Sequence, residues 1–128
     1  MKRKLLILLF ILFSFLLFAQ APEWQWVTQA GGTNTDVGRG ITIDTAGNSY
    51  VTGLFRYTAT FGSYSIICNG VNDIFIAKMD TSGNWLWASQ AGGIDPDVGI
   101  GIAIDDFGCT YITGCFGDIA HFGYFSLT

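Results

Sequence analysis

The sequence predicts an all-β fold for the chain that follows residue 20, and three observations support this prediction. Residues 29–53, QAGGTNTDVGRGITIDTAGNSYVTG, return as residues 90–114, QAGGIDPDVGIGIAIDDFGCTYITG, displaced by 61 positions. In the first copy Ile41 and Ile43 alternate with Thr42 and Asp44, and this period of two is typical of β-strands. Turn signals that contain glycine and aspartate bound the alternating runs, and nothing after residue 20 has a convincing helical period.

The first 19 residues are predicted to be a secretory signal peptide. The cationic cluster MKRK is followed by an uncharged apolar run, residues 5–18, and then by small and polar residues. An uncleaved N-terminal anchor is the alternative, although a membrane-spanning helix needs about 20 apolar residues. We expect cleavage after Ala19, with Ala21 as the other small residue that suits a cleavage site.

Removal of the signal peptide makes the chain strongly acidic. The full sequence carries 6 Lys and Arg residues against 10 Asp and Glu residues. Only Arg39, Arg56 and Lys78 remain after cleavage, against all ten acidic residues, so the net charge becomes −7. This charge argues against nucleic acid or anionic lipid as a partner and favours neutral or cationic partners. We expect an exported protein, extracellular or at the cell surface, with no membrane association after cleavage.

Three cysteines, Cys68, Cys109 and Cys115, remain in a chain expected to reach an oxidising compartment. Cys109 and Cys115 bracket a predicted strand and should lie about 20 Å apart. A disulfide requires Cα atoms within roughly 7 Å, which makes that pair improbable. Pairing of Cys68 with one of the others is left open, and we expect no structural disulfide.

The repeat defines two units, residues 20–84 and a truncated second unit, residues 85–128. Residues 24–62 align without gaps to residues 85–123, and 21 of these 39 positions are identical. In the first unit, residues 40–53 predict a hairpin around the turn 44–48, because aspartate bonds the backbone ahead of it and glycine supplies a positive φ. Further strands are predicted in chain order at 73–80 and 85–90, and residues 59–67 predict one short extra strand.

These strands carry apolar residues on both faces, and such strands need cover on both sides. Four short antiparallel strands per unit, repeated at fixed spacing, predict β-propeller-type blades, of which fewer than two are present. The 61-residue spacing exceeds the common blade length of roughly 40 to 50 residues. Propellers close with about four to eight blades, so this chain does not close a ring alone. We expect a fragment of a longer array; an oligomeric ring and a small open pair of sheets are the alternatives.

The order of the motifs resembles one known repeat family. The series W-x-x-QAGG, D-x-G-x-GI-x-ID, YVTG-x-F, ATFG and DIF-x-AK-x-D-x-x-GN-x-LW is similar to the SBBP-type β-propeller repeat of exported bacterial tandem-repeat proteins. This resemblance implies a propeller architecture and export, and it implies no shared catalytic residues. Cys109, at the position of the turn asparagine, departs from the family pattern.

Two equivalent aspartates, Asp36 and Asp97, precede the first hairpin strand of each copy. With Asp95 they offer carboxylate oxygens of the kind that Ca²⁺ uses, although Ca²⁺ takes six to eight ligands. The alternative is that each aspartate bonds its own loop backbone. The sequence has no calcium-loop series ending in glutamate, since Glu23 is its only glutamate. We therefore expect no metal site and no cofactor.

The remaining acidic candidates begin turns. Asp44, Asp80 and Asp105 each open a predicted hairpin turn, which gives them a structural role. Asp105 and Asp106 form an adjacent pair, but neighbouring strand residues point to opposite faces and make poor partners for acid–base chemistry.

No catalytic residue is predicted. His121, the only histidine, replaces Thr60 of the first copy, and nothing nearby supplies a Ser-His-Asp arrangement. The glycines of GRG and GIG precede strands instead of helices, which argues against a phosphate-binding loop.

Two W-x-W pairs open the copies, Trp24 with Trp26 and Trp85 with Trp87. A spacing of two predicts that both indoles of a pair lie on one strand face. Packing between blades is the first interpretation, and an aromatic platform for sugar or peptide is the alternative.

The sequence thus predicts a non-catalytic structural or interaction module of an exported β-propeller-repeat protein. The alternative is a carbohydrate-binding or carbohydrate-active propeller whose active blades lie outside this chain. The expected partners are neighbouring propeller blades, from a longer chain or an oligomer, together with a protein or glycan at the cell surface. Nucleic acid is not expected as a partner.

Overall fold

The computed structural model describes residues 21–128, and every regular element in that range is a β-strand. The predicted signal peptide, residues 1–19, lies outside the described residues. In chain order the strands are β1 (Val37–Ile43), β2 (Ser49–Phe55), β3 (Thr58–Phe61), β4 (Tyr64–Ile67), β5 (Asp73–Met79), β6 (Trp85–Gly93), β7 (Val98–Ile104), β8 (Thr110–Cys115), β9 (Ala120–Phe122) and β10 (Phe125–Leu127). The all-β prediction is confirmed, and between residues 21 and 128 no helix could cross a membrane.

Four antiparallel strands form the first blade in the order β1-β2-β5-β6. The central pair, β2 and β5, is in register over its whole length, from Ser49 opposite Met79 to Phe55 opposite Asp73. The β9–β10 hairpin continues this sheet, because β9 pairs with Gly92 and Gly93 at the end of β6. The predicted blade of about four antiparallel strands is therefore confirmed, and the sheets do not close into a ring.

The insertion between β2 and β5 is a complete hairpin, β3 with β4. The expectation of one short extra strand was therefore wrong. Each of these strands has only four residues, and so short a run gives little periodicity to detect. The fourth strand of the blade also runs three residues further than expected, to Gly93.

One side of the first blade, the core face, is covered by the β3–β4 hairpin. Phe55, Phe75 and Ala77 of the blade are buried there against the hairpin residues Phe61 and Ile66. The rings of Phe61 and Phe75 lie 5.1 Å apart. This cluster is the hydrophobic core of the unit, and its burial removes apolar surface from water.

The opposite side, the stacking face, receives β7 of the second unit, which contacts β1, β2 and β5. The approach is close at Gly99, where an added Cβ would lie 2.3 Å from Thr52 Oγ1 and 2.9 Å from Ile74 Cγ2. Only glycine fits there without a shift of the neighbouring atoms. The two units therefore stack face to face.

The glycine pairs of GRG and GIG flank a β-bulge in each unit. The register of β1 on β2 shifts between Gly38 and Gly40, and that of β7 on β8 shifts between Gly99 and Gly101. The bulge places one extra residue in the first strand of each hairpin and increases its local twist. These glycines thus belong to strand geometry.

Candidate functional site

The turn aspartates hold their own loops by one shared set of hydrogen bonds. Oδ1 of Asp44 accepts the backbone N–H groups of Ala46 and Asn48, and its Oδ2 accepts the Asn48 side-chain amide at 2.9 Å. Asp80 makes the same three bonds with Ser82 and Asn84. This confirms their expected structural role.

The third turn differs at one position. Oδ1 of Asp105 accepts the N–H groups of Phe107 and Cys109, but the cysteine side chain offers no amide to Oδ2. The Tyr111 hydroxyl donates to Oδ2 at 3.0 Å, as Tyr50 does to Asp44 at 3.3 Å. Cys109 thus replaces the amide donor of the other two turns with a thiol, which is a weaker hydrogen-bond donor.

These bonds stabilise the charged form of the turn carboxylates. The Asn48 side chain, followed by backbone N–H groups and Lys78, lowers the pKa of Asp44 to about 2. The Asn84 side chain lowers the pKa of Asp80, and the Cys109 backbone N–H lowers that of Asp105. A hydrogen bond that stabilises the ionised form of a carboxylate lowers its pKa.

The equivalent aspartates Asp36 and Asp97 tie three segments of each unit together. Oδ2 of Asp97 accepts the N–H of Gly93 at 2.7 Å, and its Oδ1 accepts the N–H of Gly117 at 3.1 Å. Asp36 repeats this pattern with Gly32 at 2.6 Å and Arg56 at 3.4 Å. Both carboxylates thus bond backbone around their loops, which is the alternative to calcium binding set out above.

Asp97 lies beside a second buried carboxylate that the sequence did not single out. Asp73 and Asp97 are both fully buried, and a Cβ on Gly92 would lie 2.6 Å from Asp97 Oδ2 and 2.9 Å from Asp73 Oδ1. Asp73 accepts the Asn69 N–H at 3.0 Å and the Cys68 thiol at 3.4 Å. Burial, with the charge of Asp97 as a smaller cause, raises the pKa of Asp73.

Only a faint sequence signal points to this pair. Asp73 is the first residue of β5 and is followed by the apolar run Ile-Phe-Ile-Ala, which places a charged side chain at the edge of a buried strand. Its approach to Asp97 depends on contact between the two units, which local pattern does not show.

His121 is part of a cross-strand contact. Its Nδ1 lies 2.8 Å from the Ser126 hydroxyl across the β9–β10 hairpin. The equivalent residues of the first unit, Thr60 and Ser65, have their hydroxyls 3.3 Å apart. His121 thus occupies a structural position that the first copy fills with threonine.

The indoles of Trp85 and Trp87 lie on opposite faces of β6, so the prediction that they share one face was wrong. A register shift near the start of β6 adds a residue between them. Trp85 stands perpendicular to Phe61 on the core face, with ring centroids 5.1 Å apart. Trp87 contacts Tyr50 on the stacking face, at 6.1 Å.

The first tryptophan pair also divides into two environments. Trp26 donates its indole N–H to the Thr81 carbonyl at 2.9 Å and covers Gly83. Trp24, the counterpart of Trp85, is 93% exposed. Trp24 is therefore the tryptophan that solvent reaches most freely.

All three cysteines are free thiols: Cys68 is half-buried, and Cys109 and Cys115 are exposed. Burial raises the pKa of the Cys68 thiol, which favours its protonated form. Across residues 21–128, no group of three or more His, Cys, Asp or Glu side chains is placed to hold a metal ion.

An apolar groove of about 410 Å³ separates the stacking face of the first blade from β8. Ile74 and Ile76 line it from the first blade, and Ile112 and Phe116 line it from the second unit. Phe122 and Leu127 of the β9–β10 hairpin complete the wall. Shape and lining suit an apolar ligand or chain segment.

The comparisons with known proteins agree with this architecture. Residues 25–54 match the family described as beta-propeller repeat, SBBP. An uncharacterized WD repeat-containing protein of Acanthamoeba polyphaga mimivirus is 28% identical to this chain, over 74% of the chain and 8% of its own length. The chain thus spans a small part of that relative. No solved structure matches the chain.

Proposed function

The chain carries an SBBP beta-propeller repeat, and on this premise we propose that it is a non-catalytic structural or interaction module of an exported repeat protein. The aspartates, the histidine and three of the four tryptophans described above make contacts within the fold. Those residues are therefore used to build and join units.

The observation that carries this proposal is the stacking of the second unit on the first. β7 covers the stacking face of the first blade through a close approach at Gly99, and Asn72 of the first unit exchanges hydrogen bonds of 2.6 and 2.9 Å with the Asp97 backbone. Repeat arrays gain stability from such contacts between neighbouring units. A surface of this kind suits a module that works beside further blades.

We further propose that the module is exported and belongs to a longer array. The signal-peptide pattern of residues 1–19 supports export, and the 8% share of the matched relative supports a longer parent. Mass spectrometry of the protein recovered from the exporting cell tests the first point. A new N-terminus at residue 20 or 22 is expected, and an intact N-terminus on the exported protein would contradict cleavage.

A carbohydrate-binding module is the second candidate, and the 93% exposure of Trp24 favours it. Indole faces offer apolar surface with a polar handle. Glycan binding and glycoside hydrolysis should be measured for the wild type, for Trp24→Ala and for the control Phe107→Ala, which removes an equally exposed ring. The structural proposal predicts no turnover and no binding that depends on Trp24. Turnover, or binding lost only in Trp24→Ala, would overturn it.

A further inference from the structure

Strands β2 and β8 are the same repeat element in two different surroundings. β2 lies between β1 and β5 and pairs with both, whereas β8 pairs with β7 only. Thr52 of β2 is fully buried, and its counterpart Thr113 of β8 is exposed. The edge of β8 that corresponds to the β5 side of β2 is therefore open.

The apolar groove beside this edge is an incomplete copy of the first core. In the first blade, Val51, Phe55, Phe61 and Ile66 pack around Phe75 and Ala77 of β5. Their counterparts at the same repeat positions, which line the groove, are Ile112, Phe116, Phe122 and Leu127. The side chains that β5 contributes to the first core have no counterpart in the groove.

The exposed fractions of equivalent side chains reflect this difference between the two cores. Phe55, the last residue of β2, is fully buried, and its counterpart Phe116, which follows the last residue of β8, is 40% exposed. Ile66 is 7% exposed and its counterpart Leu127 is 50% exposed. The second core thus has walls of the same residue classes as the first, and it has room for one more strand.

Charge also distinguishes the two sites. In the first blade, Lys78 of β5 lies 3.4 Å from the Asp44 carboxylate and 4.7 Å from the centroid of the Tyr50 ring. Asp105 and Tyr111 repeat this pair in the second unit. Within the described chain, the salt bridge of Lys78 has no equivalent at Asp105. An ammonium group beside Asp105 and the Tyr111 ring would make the same contacts that Lys78 makes in the first blade.

The open edge of β8 also suits a backbone carbonyl as a hydrogen-bond acceptor. Thr52 donates its hydroxyl hydrogen to the carbonyl of Phe75 on β5 at 2.8 Å. Thr113 stands at the equivalent position of β8, beside the open edge. A strand that pairs with β8 in the register of β5 on β2 would bring a carbonyl to this hydroxyl.

We propose that the β8 edge and its groove bind an extended strand with the pattern of β5, supplied by a further segment of the repeat array. Residues at the positions of Phe75 and Ala77 enter the groove, and the lysine at the position of Lys78 reaches Asp105 and Tyr111 on the opposite face. This inference rests on the proposed function, because it names the contact by which the module accepts its next neighbour. Strand addition at an open edge gives main-chain affinity, and its side-chain pockets give specificity.

The test uses a labelled peptide of residues 72–80, NDIFIAKMD, titrated into the purified protein and followed by fluorescence anisotropy. We expect saturable one-to-one binding. Peptides with Phe75→Ala or Lys78→Glu should each bind at least tenfold more weakly, and a scrambled peptide should not bind. Absence of saturable binding, or equal binding of the scrambled peptide, would overturn the inference.

A protein variant tests the charged contact while the turn is kept. Asp105→Asn retains an acceptor for the turn N–H groups and removes the charge. It should therefore reduce at least threefold the loss of affinity that Lys78→Glu causes in the peptide. Asp80→Asn changes a turn of the same geometry away from the groove and should leave that loss of affinity unchanged. An equal effect of both variants would contradict the proposed contact.

Light scattering distinguishes the occupant proposed here from a second copy of the chain. We expect the protein to be a monomer whose mass does not change, apart from the bound peptide, when the peptide is added. A dimer that the peptide dissociates would assign the groove to a second copy of the chain and contradict binding of a further repeat segment. If the peptide does not bind but Gly99→Ala strongly lowers the free energy of unfolding, the inference about the β8 edge fails and the proposed stacking stands. If the peptide does not bind and Gly99→Ala leaves the free energy of unfolding unchanged, the stacked-module function fails as well.

Discussion

Tyr50 and Tyr111 occupy the same position in successive repeats, and each donates its hydroxyl hydrogen to a turn aspartate. Tyr50 is 4% exposed, however, and Tyr111 is 59% exposed. Tyr50 lies under Lys78 and beside Trp87, which belong to β5 and β6. The same local motif is therefore buried or open according to the strands that follow it.

The stacking of the two units can be tested at Gly99. A methyl group there would meet Thr52 and Ile74 at distances that real contacts do not allow. Gly99→Ala should lower the free energy of unfolding by about 1–3 kcal/mol, the usual cost of overpacking. Urea denaturation at neutral pH measures this difference.

Gly38→Ala is the matched control for that variant. Gly38 also flanks a bulge, but an added methyl group would meet no atom within 4 Å. Its free energy of unfolding should stay close to that of the wild type. Equal losses in the two variants would show that bulge geometry, and not stacking, sets the requirement for glycine.

The buried carboxylate of Asp97 can be tested by removing one acceptor oxygen. Asp97→Asn puts an amide N–H against a backbone N–H of Gly93 or Gly117, so one hydrogen bond is lost and a donor is left unsatisfied. We expect a loss of about 1–3 kcal/mol in the free energy of unfolding. Asp95→Asn, an exposed neighbour, should change stability little. A neutral Asp97→Asn would contradict the structural role.

The irregular third turn predicts a stabilising substitution. Cys109→Asn supplies the side-chain amide that Asn48 and Asn84 donate in the other two turns. We expect a gain of about 0.5–1.5 kcal/mol, the typical net value of one hydrogen bond. Thermal unfolding compares this variant with Cys109→Ser, which lacks the amide. Equal stability of the two variants would argue that the amide contact has no role.

The raised pKa of Asp73 predicts a pH dependence of known sign. A native carboxyl whose pKa exceeds its unfolded value binds protons more tightly when folded, so its contribution to stability grows as pH falls through the raised pKa. Asp73→Asn removes this charge. The stability of the wild type relative to Asp73→Asn should therefore rise as pH falls from 8 to 4.

The turn aspartates act in the opposite direction. The pKa of Asp44 is lowered to about 2, so its contribution is present above its unfolded value of 3.8 and is lost as pH falls towards 2. Comparison of Asp73→Asn with the wild type at each pH cancels this shared contribution. A difference that is constant from pH 4 to pH 8 would contradict the burial-driven shift of Asp73.

Local sequence signals predicted the turns and the main strands well. The segment 44–48 places aspartate first and Gly47 fourth, and Gly47 adopts the positive φ of 86° that the turn requires. The alternation in β2 and β5 and the 61-residue repeat were sufficient to predict the blade. These features depend on neighbours in the chain, and the sequence shows such neighbours directly.

The features that were missed depend on contacts between distant residues. A bulge in the pairing of β5 with β6 moves Trp85 and Trp87 to opposite faces, and a period of two does not reveal it. Asp73 meets Asp97 because the loop after β6 lies beside the start of β5, where Asn72 pairs with Pro96. The contrast between β2 and β8 likewise comes from neighbouring strands, since their sequences are almost the same.

Hydrogen exchange of the β2 and β8 amides shows whether this chain presents one completed blade and one open blade edge. Amides of Ser49–Phe55 should exchange slowly on both edges of the strand. In Thr110–Cys115, the amides that bond β7 should exchange slowly, and those on the open edge should exchange at least a hundredfold faster. Uniformly slow exchange along β8 in the monomeric protein would contradict an open edge on this strand.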